Sequence, residues 1–302
     1  MIEISPFRKQ IEERIGPIQH LAAIEKGFSI EKKFKVLASQ SDYLVRLSPL
    51  QSASSKEQEF DIMRQLYENG VQCNQPILML QNDETEAVCT VYSYLAGIDA
   101  EENITKLPPE SQYTIGVDAG KDLKLINSLP GETNNWKERK CKKHERYVNQ
   151  YFERGYRFKN DERILRFIET QYDFSEADQD YLQHDDFHLG NIVIDCGRYA
   201  GVLDFNRYDW GDPLHEFVKL EWYNWPLSEA FARGQVEGYF GERKLSEAEC
   251  LQLSVYIAMS IVSTTVWTLE FHPHTWVETE TRIRAILDHF DYFDSIRPEW
   301  AT

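Results

Sequence analysis

The chain has 302 residues, 42% of them hydrophobic and 13% aromatic, which is enough for a substantial core and excludes a disordered chain. A net charge of −17 argues against nucleic acid as partner, because phosphate backbones demand a basic surface. Five cysteines, odd in number and scattered without zinc-ligand spacing, suit a reduced, cytoplasmic protein rather than a disulfide framework. The charge is uneven, net −3 over residues 1–97 and −14 over the remainder. An acidic second part either concentrates a cationic small molecule or serves solubility alone.

The N-terminus is too polar for a signal peptide. Residues 6–24 have helical periodicity (Ile11, Ile15, Ile18), which Gly16-Pro17 should interrupt. Three strands are expected around Ala22–Ile24, Lys32–Val36 and Tyr43–Leu47, with a Gly27-Phe28-Ser29 turn between the first two. A helix over about Ser55–Glu68 buries Phe60, Met63, Leu66 and Tyr67, and another strand runs over Val88–Tyr94. From Pro109 onward helices dominate: Tyr113–Ser128, residues 146–170, a short helix beginning at Ser175–Ala177, then 214–225, 227–239, 246–270 and 276–292. Leu251–Leu269 has no charge and nearly membrane-spanning length. Its serines and threonines and the flanking Glu249 and Glu270 favour a buried helix, with no membrane as partner.

Residues 181–213 hold most of the chemistry. His184-Asp185-Asp186 is followed by Asn191, an apolar run Ile192–Ile194, a turn at Asp195–Arg198, and a second run, Ala200–Leu203, that ends on Asp204. Two short apolar runs around a tight polar turn predict a β-hairpin, with carboxylate and amide at its entry and a carboxylate at its exit. Phosphoryl transfer needs such a set: one Asp orients or deprotonates the acceptor hydroxyl, while an Asn and a second Asp hold Mg²⁺ through hard oxygen ligands. Asp186 and Asn191 have the Asp-x-x-x-x-Asn spacing of the kinase catalytic loop, and Asp204-Phe205-Asn206 stands where Asp-Phe-Gly would be.

On these residues the chain resembles the aminoglycoside phosphotransferases, kanamycin-kinase-like members of the protein-kinase-like superfamily. Their loop, His-Gly-Asp-x-His-x-Gly-Asn, is matched by His184, Asp186, His188, Gly190 and Asn191, and Gly201–Pro213 is also similar. Asp185 departs from the pattern by replacing a Gly, and Asn127 stands where the family often has His.

The resemblance implies an α+β, protein-kinase-like two-lobed fold: a small β-rich lobe over 1–92, a hinge linker at 93–99, and a larger, mainly helical lobe over 100–302. It implies Asp186 as catalytic residue and Asn191 and Asp204 as Mg²⁺ ligands. Nucleotide contacts fall to Gly27, Ser29 and Lys32 (or Lys33), to Arg46 with Glu59 as its helix partner, and to the backbone of Ser93, Tyr94 and Leu95. Glu57 is the competitor to Glu59, since helix N-termini attract carboxylates.

The expected activity is transfer of the γ-phosphate of ATP or GTP to a hydroxyl of a small, cationic, aminoglycoside-like substrate. Glu221, Glu237 and Glu270 are acidic candidates for holding that acceptor. Macrolide, choline, homoserine or methylthioribose kinases share the loop and remain alternatives. So does a nucleotide-binding pseudokinase, although a scaffold has no need of all five of Arg46, Glu59, Asp186, Asn191 and Asp204. A metal-dependent phosphohydrolase would need more His and Asp ligands than the cluster supplies.

Overall fold

The computed structural model describes residues 3–25, 31–171 and 179–301. The chain divides into two compact units: Met1–Ile98 with Ala200–Asn206, and Asp99–Tyr199 with Arg207–Thr302. The expected helical lobe over 100–302 is therefore interrupted. Ala200–Asn206 counts with the first unit because its backbone pairs there, with the Val202 N–H donating to the Gln72 carbonyl at 2.9 Å.

The first unit is built on one antiparallel sheet. Its strands are β1 (Ile18–Ile24), β2 (Lys32–Ala38), β3 (Ser41–Pro49), β4 (Pro76–Asn82) and β5 (Ala87–Ser93), in the order β1-β2-β3-β5-β4. Helix α1 (Arg8–Ile15) stops at Gly16, whose φ of 89° is left-handed, and Pro17 cannot continue it. The helical periodicity of 6–24 is thus cut short, and Ile18–Ile24 becomes a strand that pairs with β2. Strand alternation then sorts the two faces. Val45, Leu47, Cys89 and Val91 pack with Phe7, Ile11 and Ile15 of α1 in one core cluster. Arg46, Thr90 and Tyr92 point the other way. There Phe60 of α2 (Ala53–Glu68) meets Tyr92, ring centroids 5.5 Å apart.

The second unit is mainly helical. Glu247–Phe271, capped by a reciprocal Ser246–Glu249 box, is its longest helix. It is long and apolar enough to cross a membrane, yet 67% of its apolar window is buried inside the protein, as befits a core helix. Pro109–Ile126 and Glu229–Phe240 lie so close that a Cβ at Gly116 would strike the Phe231 carbonyl, and one at Gly234 the Tyr113 carbonyl. Expected helix 146–170 is in fact two, Trp136–Glu153 and Asp161–Gln171, separated by a left-handed Gly155. Likewise 214–225 is a mixed segment: a 3₁₀ turn at Pro213–Glu216, a helical turn at Phe217–Lys219 and a π-helical turn at Leu220–Asn224. The short helix expected at Ser175–Ala177 lies outside the described residues.

Candidate active site

In the second unit, the short strand Tyr181–Gln183 pairs with Asp209–Gly211 and delivers the chain to the acidic loop. His184, fully buried, starts the loop and donates its backbone N–H to Glu216; its ring Nδ1 accepts the Asp186 N–H at 3.3 Å. His184 therefore shapes the loop. His188 also serves the loop backbone: its Nδ1 accepts the Gly190 N–H at 3.1 Å, and its Nε2 is 3.6 Å from Asp186. Asn191 closes the turn. Its Nδ2 donates to the Asp186 carbonyl at 2.9 Å and reaches Asp186 Oδ2 at 3.3 Å. With the amide nitrogen turned to Asp186, Oδ1 of Asn191 is the oxygen left to serve a cation.

Asp186 Oδ1 lies 2.8 Å from Lys219 Nζ. Burial raises the Asp186 carboxyl, but His188 and Lys219 outweigh it and hold the group well below the ordinary carboxylate range. Such a carboxylate is a weak base. It suits the orientation of a hydroxyl and late acceptance of its proton, as a loose transition state requires.

Asp185, in place of the family Gly, has a left-handed φ of 58°. That conformation explains why a glycine fits there, and a β-carbon in it costs about 1–2 kcal/mol. The cost is met by new contacts. Asp185 Oδ1 is 3.2 Å from His215 Nδ1, and His215 Nε2 is 2.6 Å from Lys140 Nζ, which Trp136 and Tyr256 enclose. Burial and the Lys140 charge depress His215 to about 4, and burial brings Lys140 down to about 8. Burial works against the Asp185 charge too, but His215, Lys219 and Lys140 together hold its carboxyl at about 2. We expect Asp185→Ala, which keeps the strain and loses the contacts, to be about 1 kcal/mol less stable than Asp185→Gly in urea unfolding.

Glu216, buried, supports the loop from below. Its Oε1 accepts the backbone N–H groups of His184 and Asp185, and Asn127 Nδ2 lies 3.5 Å away. Asn127 itself donates to the Leu182 carbonyl at 2.7 Å and so ties the helix Pro109–Ile126 to the catalytic strand. Burial, helped by the Asp185 charge, pushes the Glu216 carboxyl up to about 8. Its folded value exceeds its unfolded one, so its stabilising contribution is complete below the unfolded value of 4.5 and lost by about pH 8. Thermal unfolding from pH 5 to 8 should show a decline in Tm that Glu216→Gln flattens.

In the first unit, Arg46 is the hub of a buried ionic quartet. Its Nη1 donates to Glu59 at 2.7 Å, and its Nε and Nη2 grip Glu31 Oε2 at 2.8 and 2.6 Å. Lys56 Nζ bridges the same two acids at 2.5 and 2.6 Å. The expected Arg46–Glu59 pair is thus brought together. Glu31 and Lys56 are additions for which the sequence offers no signal beyond their charge. Arg46 is raised and Glu31 lowered to about 2, both against the effect of burial.

Lys32 sits on β2 opposite Leu47, whereas Gly27 and Ser29 lie outside the described residues. At the end of β5 the Ser93 N–H is taken by the Gln75 carbonyl and the Tyr94 N–H by the Asp42 carbonyl. Strand pairing thereby commits two of the three amides expected to face a nucleotide.

Asp204 belongs to the first unit and Asn191 to the second. Asp204 is half-buried and left-handed, with φ 67°, directly before the buried Phe205. Each can offer a side-chain oxygen, the kind of ligand Mg²⁺ selects. Among the described residues no group of three or more His, Cys, Asp or Glu side chains converges as a metal cage.

The three acids proposed for the acceptor have other work. Glu221 is buried and accepts from His289 Nδ1 and Trp300 Nε1, each at 2.7 Å. Glu237 accepts the Tyr113 hydroxyl, and Glu270 lies 3.2 Å from Arg154. Glu221 is therefore a core anchor, whereas the contacts of Glu237 and Glu270 lie at the surface. Spacing along the chain cannot separate such acids from pocket acids.

The model of the APH phosphotransferase enzyme family matches residues 20–248, well over half of the chain. The chain belongs to this family. It is a phosphotransferase with an alcohol group as acceptor, of mixed α+β, kinase-like fold. Solved structures of similar fold include a protein of Ralstonia eutropha JMP134 assigned to the aminoglycoside phosphotransferases (TM-score 0.69, 13% identity, 95% of this chain and 96% of that one). A thermostable APH(4)-Ia mutant in complex with AMP-PNP and hygromycin B is similar at TM-score 0.68 and 16% identity, covering 93% and 97%. The spectinomycin phosphotransferase APH(9)-Ia with ADP and spectinomycin is similar at 0.65 and 16%, covering 99% and 98%. Among proteins of curated function none matches by sequence.

Proposed function

We propose that the chain is a small-molecule kinase that moves the γ-phosphate of ATP or GTP to a hydroxyl of an aminoglycoside-like acceptor. The observation that carries this reading is the Asp186–Asn191 turn: one carboxylate oxygen restrained by a lysine, and an amide whose oxygen is left for a cation. Asp186 orients the acceptor hydroxyl and takes its proton. Arg46, fixed by Glu59, is the phosphate-binding cation, with Lys32, Gly27, Ser29 and the Leu95 backbone as further nucleotide contacts. Asn191 and Asp204 are the residues to hold Mg²⁺, which when bound neutralises charge on the phosphates. Nucleotide analogues and antibiotics in the related structures support the donor and acceptor classes. Five cysteines, none of them in a disulfide, support a cytoplasmic setting.

One observation favours a second reading, a less cationic hydroxylated metabolite as acceptor. Lys219 and Lys140 balance the carboxylates of Asp186 and Asp185, and little uncompensated negative charge remains there to attract a polycation. Thermal-shift screening of aminoglycosides against neutral macrolides and small amino alcohols separates the two readings. Calorimetry with ATP and GTP, with and without Mg²⁺, tests the donor. Asp204→Ala should abolish the metal-dependent part of binding, and an unchanged metal dependence would remove Asp204 from the site.

A further inference from the structure

One segment of the second unit grips the catalytic loop at three successive points. Lys219 Nζ meets Asp186 Oδ1 at 2.8 Å, the Tyr223 ring packs tilted against His188 with centroids 4.8 Å apart, and Asn224 Oδ1 accepts the Leu189 N–H at 2.9 Å. The three residues share a face because Leu220–Asn224 is π-helical, a wider turn than the α-helix and one that recurs at functional sites. Asn224 is itself locked, its Nδ2 donating to Gln235 at 2.8 Å. Lys219 is largely buried, and its ammonium lies 5.5 Å from the centre of the Tyr223 ring, so it has few alternative positions.

We propose that Lys219 is a positioning residue of the phosphoryl transfer: it holds Oδ1 of Asp186 so that Oδ2 is presented to the acceptor hydroxyl. This rests on the kinase reading above. In the step so served, the hydroxyl oxygen bonds to the γ-phosphorus as the bond from that phosphorus to the β–γ bridging oxygen breaks. The nucleoside diphosphate leaves with that electron pair, and the hydroxyl proton passes to Oδ2. The competing account is that Lys219 only neutralises a buried carboxylate for the sake of stability. Misplacing a reacting group by about 1 Å costs on the order of 10²-fold in rate, so the two accounts differ in what they predict for turnover.

The test needs no knowledge of the natural acceptor, because water can take its place: Mg-ATP hydrolysis is followed by phosphate release on the full chain. For Lys219→Met we expect kcat to fall about 10²-fold, with KM for Mg-ATP within about threefold of wild type. Lys219→Arg, which keeps the charge and a donor, should restore most of the rate. In an Asp186→Ala background Lys219→Met should cost almost nothing more, since residues acting as a unit are not additive. Lys219→Gln stands in if the methionine variant does not fold. Turnover near wild type in a folded Lys219→Met protein would overturn the proposal, as would the full loss recurring in the Asp186→Ala background. No phosphate release by folded wild type that binds Mg-ATP would instead sink the kinase reading, and the proposal with it.

Discussion

Alanine in place of Asp186 should lower turnover by about 10²–10⁴, the usual contribution of a positioned acid–base group, while nucleotide affinity holds. The separation is expected because the nucleotide contacts proposed for Arg46 and Lys32 lie in the first unit, far along the chain from the Asp186 loop. Lys219 would lose its carboxylate partner in this variant, and His188 would keep its bond to the Gly190 N–H, so the loop retains part of its bracing. Initial rates and calorimetry on the same preparation check both halves. Turnover within tenfold of wild type in a folded variant would take Asp186 out of the chemistry.

The second large effect is on stability. Arg46→Met removes the hub of the buried quartet and takes from both Glu31 and Glu59 the guanidinium that pairs them. Removing one partner of a buried ionic group costs about 3–5 kcal/mol, mostly because the charge left behind is unpaired. Arg46→Met with Glu59→Gln leaves a matched Lys56–Glu31 pair, so the double variant should recover part of the loss. Acid should mimic the defect. Glu31 has a folded value near 2, below its unfolded 4.5, so its contribution is present above 4.5 and lost as pH falls toward 2. Calorimetric unfolding of the single and double variants reads these differences. All seven tryptophans lie beyond residue 98 outside 200–206, so tryptophan fluorescence would report the other unit. Equal stability of the single variant and wild type would mean that the quartet contributes nothing net.

These predictions depend on the sequence to different degrees. Asp186, Asn191 and Asp204 stand out in the linear chain because the catalytic loop is short, and its spacing survives any change in the surrounding fold. Four strands of the first sheet and α2 were also legible, since strand alternation and helical periodicity are local patterns, whereas β4 was not, and the pairing of Arg46 with Glu59 was implied by the family resemblance. The start of the chain misled for a local reason: Ile11, Ile15 and Ile18 fit one helical face, but the register of β1 with β2 claims Ile18 once Gly16 has turned the chain.

What the sequence determined by itself was therefore the family chemistry and the elements that carry it, because both are written in spacings of a few residues. The tertiary structure alone decided which charges meet. Glu31 and Lys56 join Arg46 across 15 and 10 positions, Lys219 reaches Asp186 across 33, and Lys140 reaches Asp185 only through His215. It also turned Glu221 from a pocket acid into a core anchor. The physical reason is range. Backbone periodicity is a near-neighbour property, whereas the partner of a buried charge is whichever group folding leaves beside it, and no local pattern records that choice.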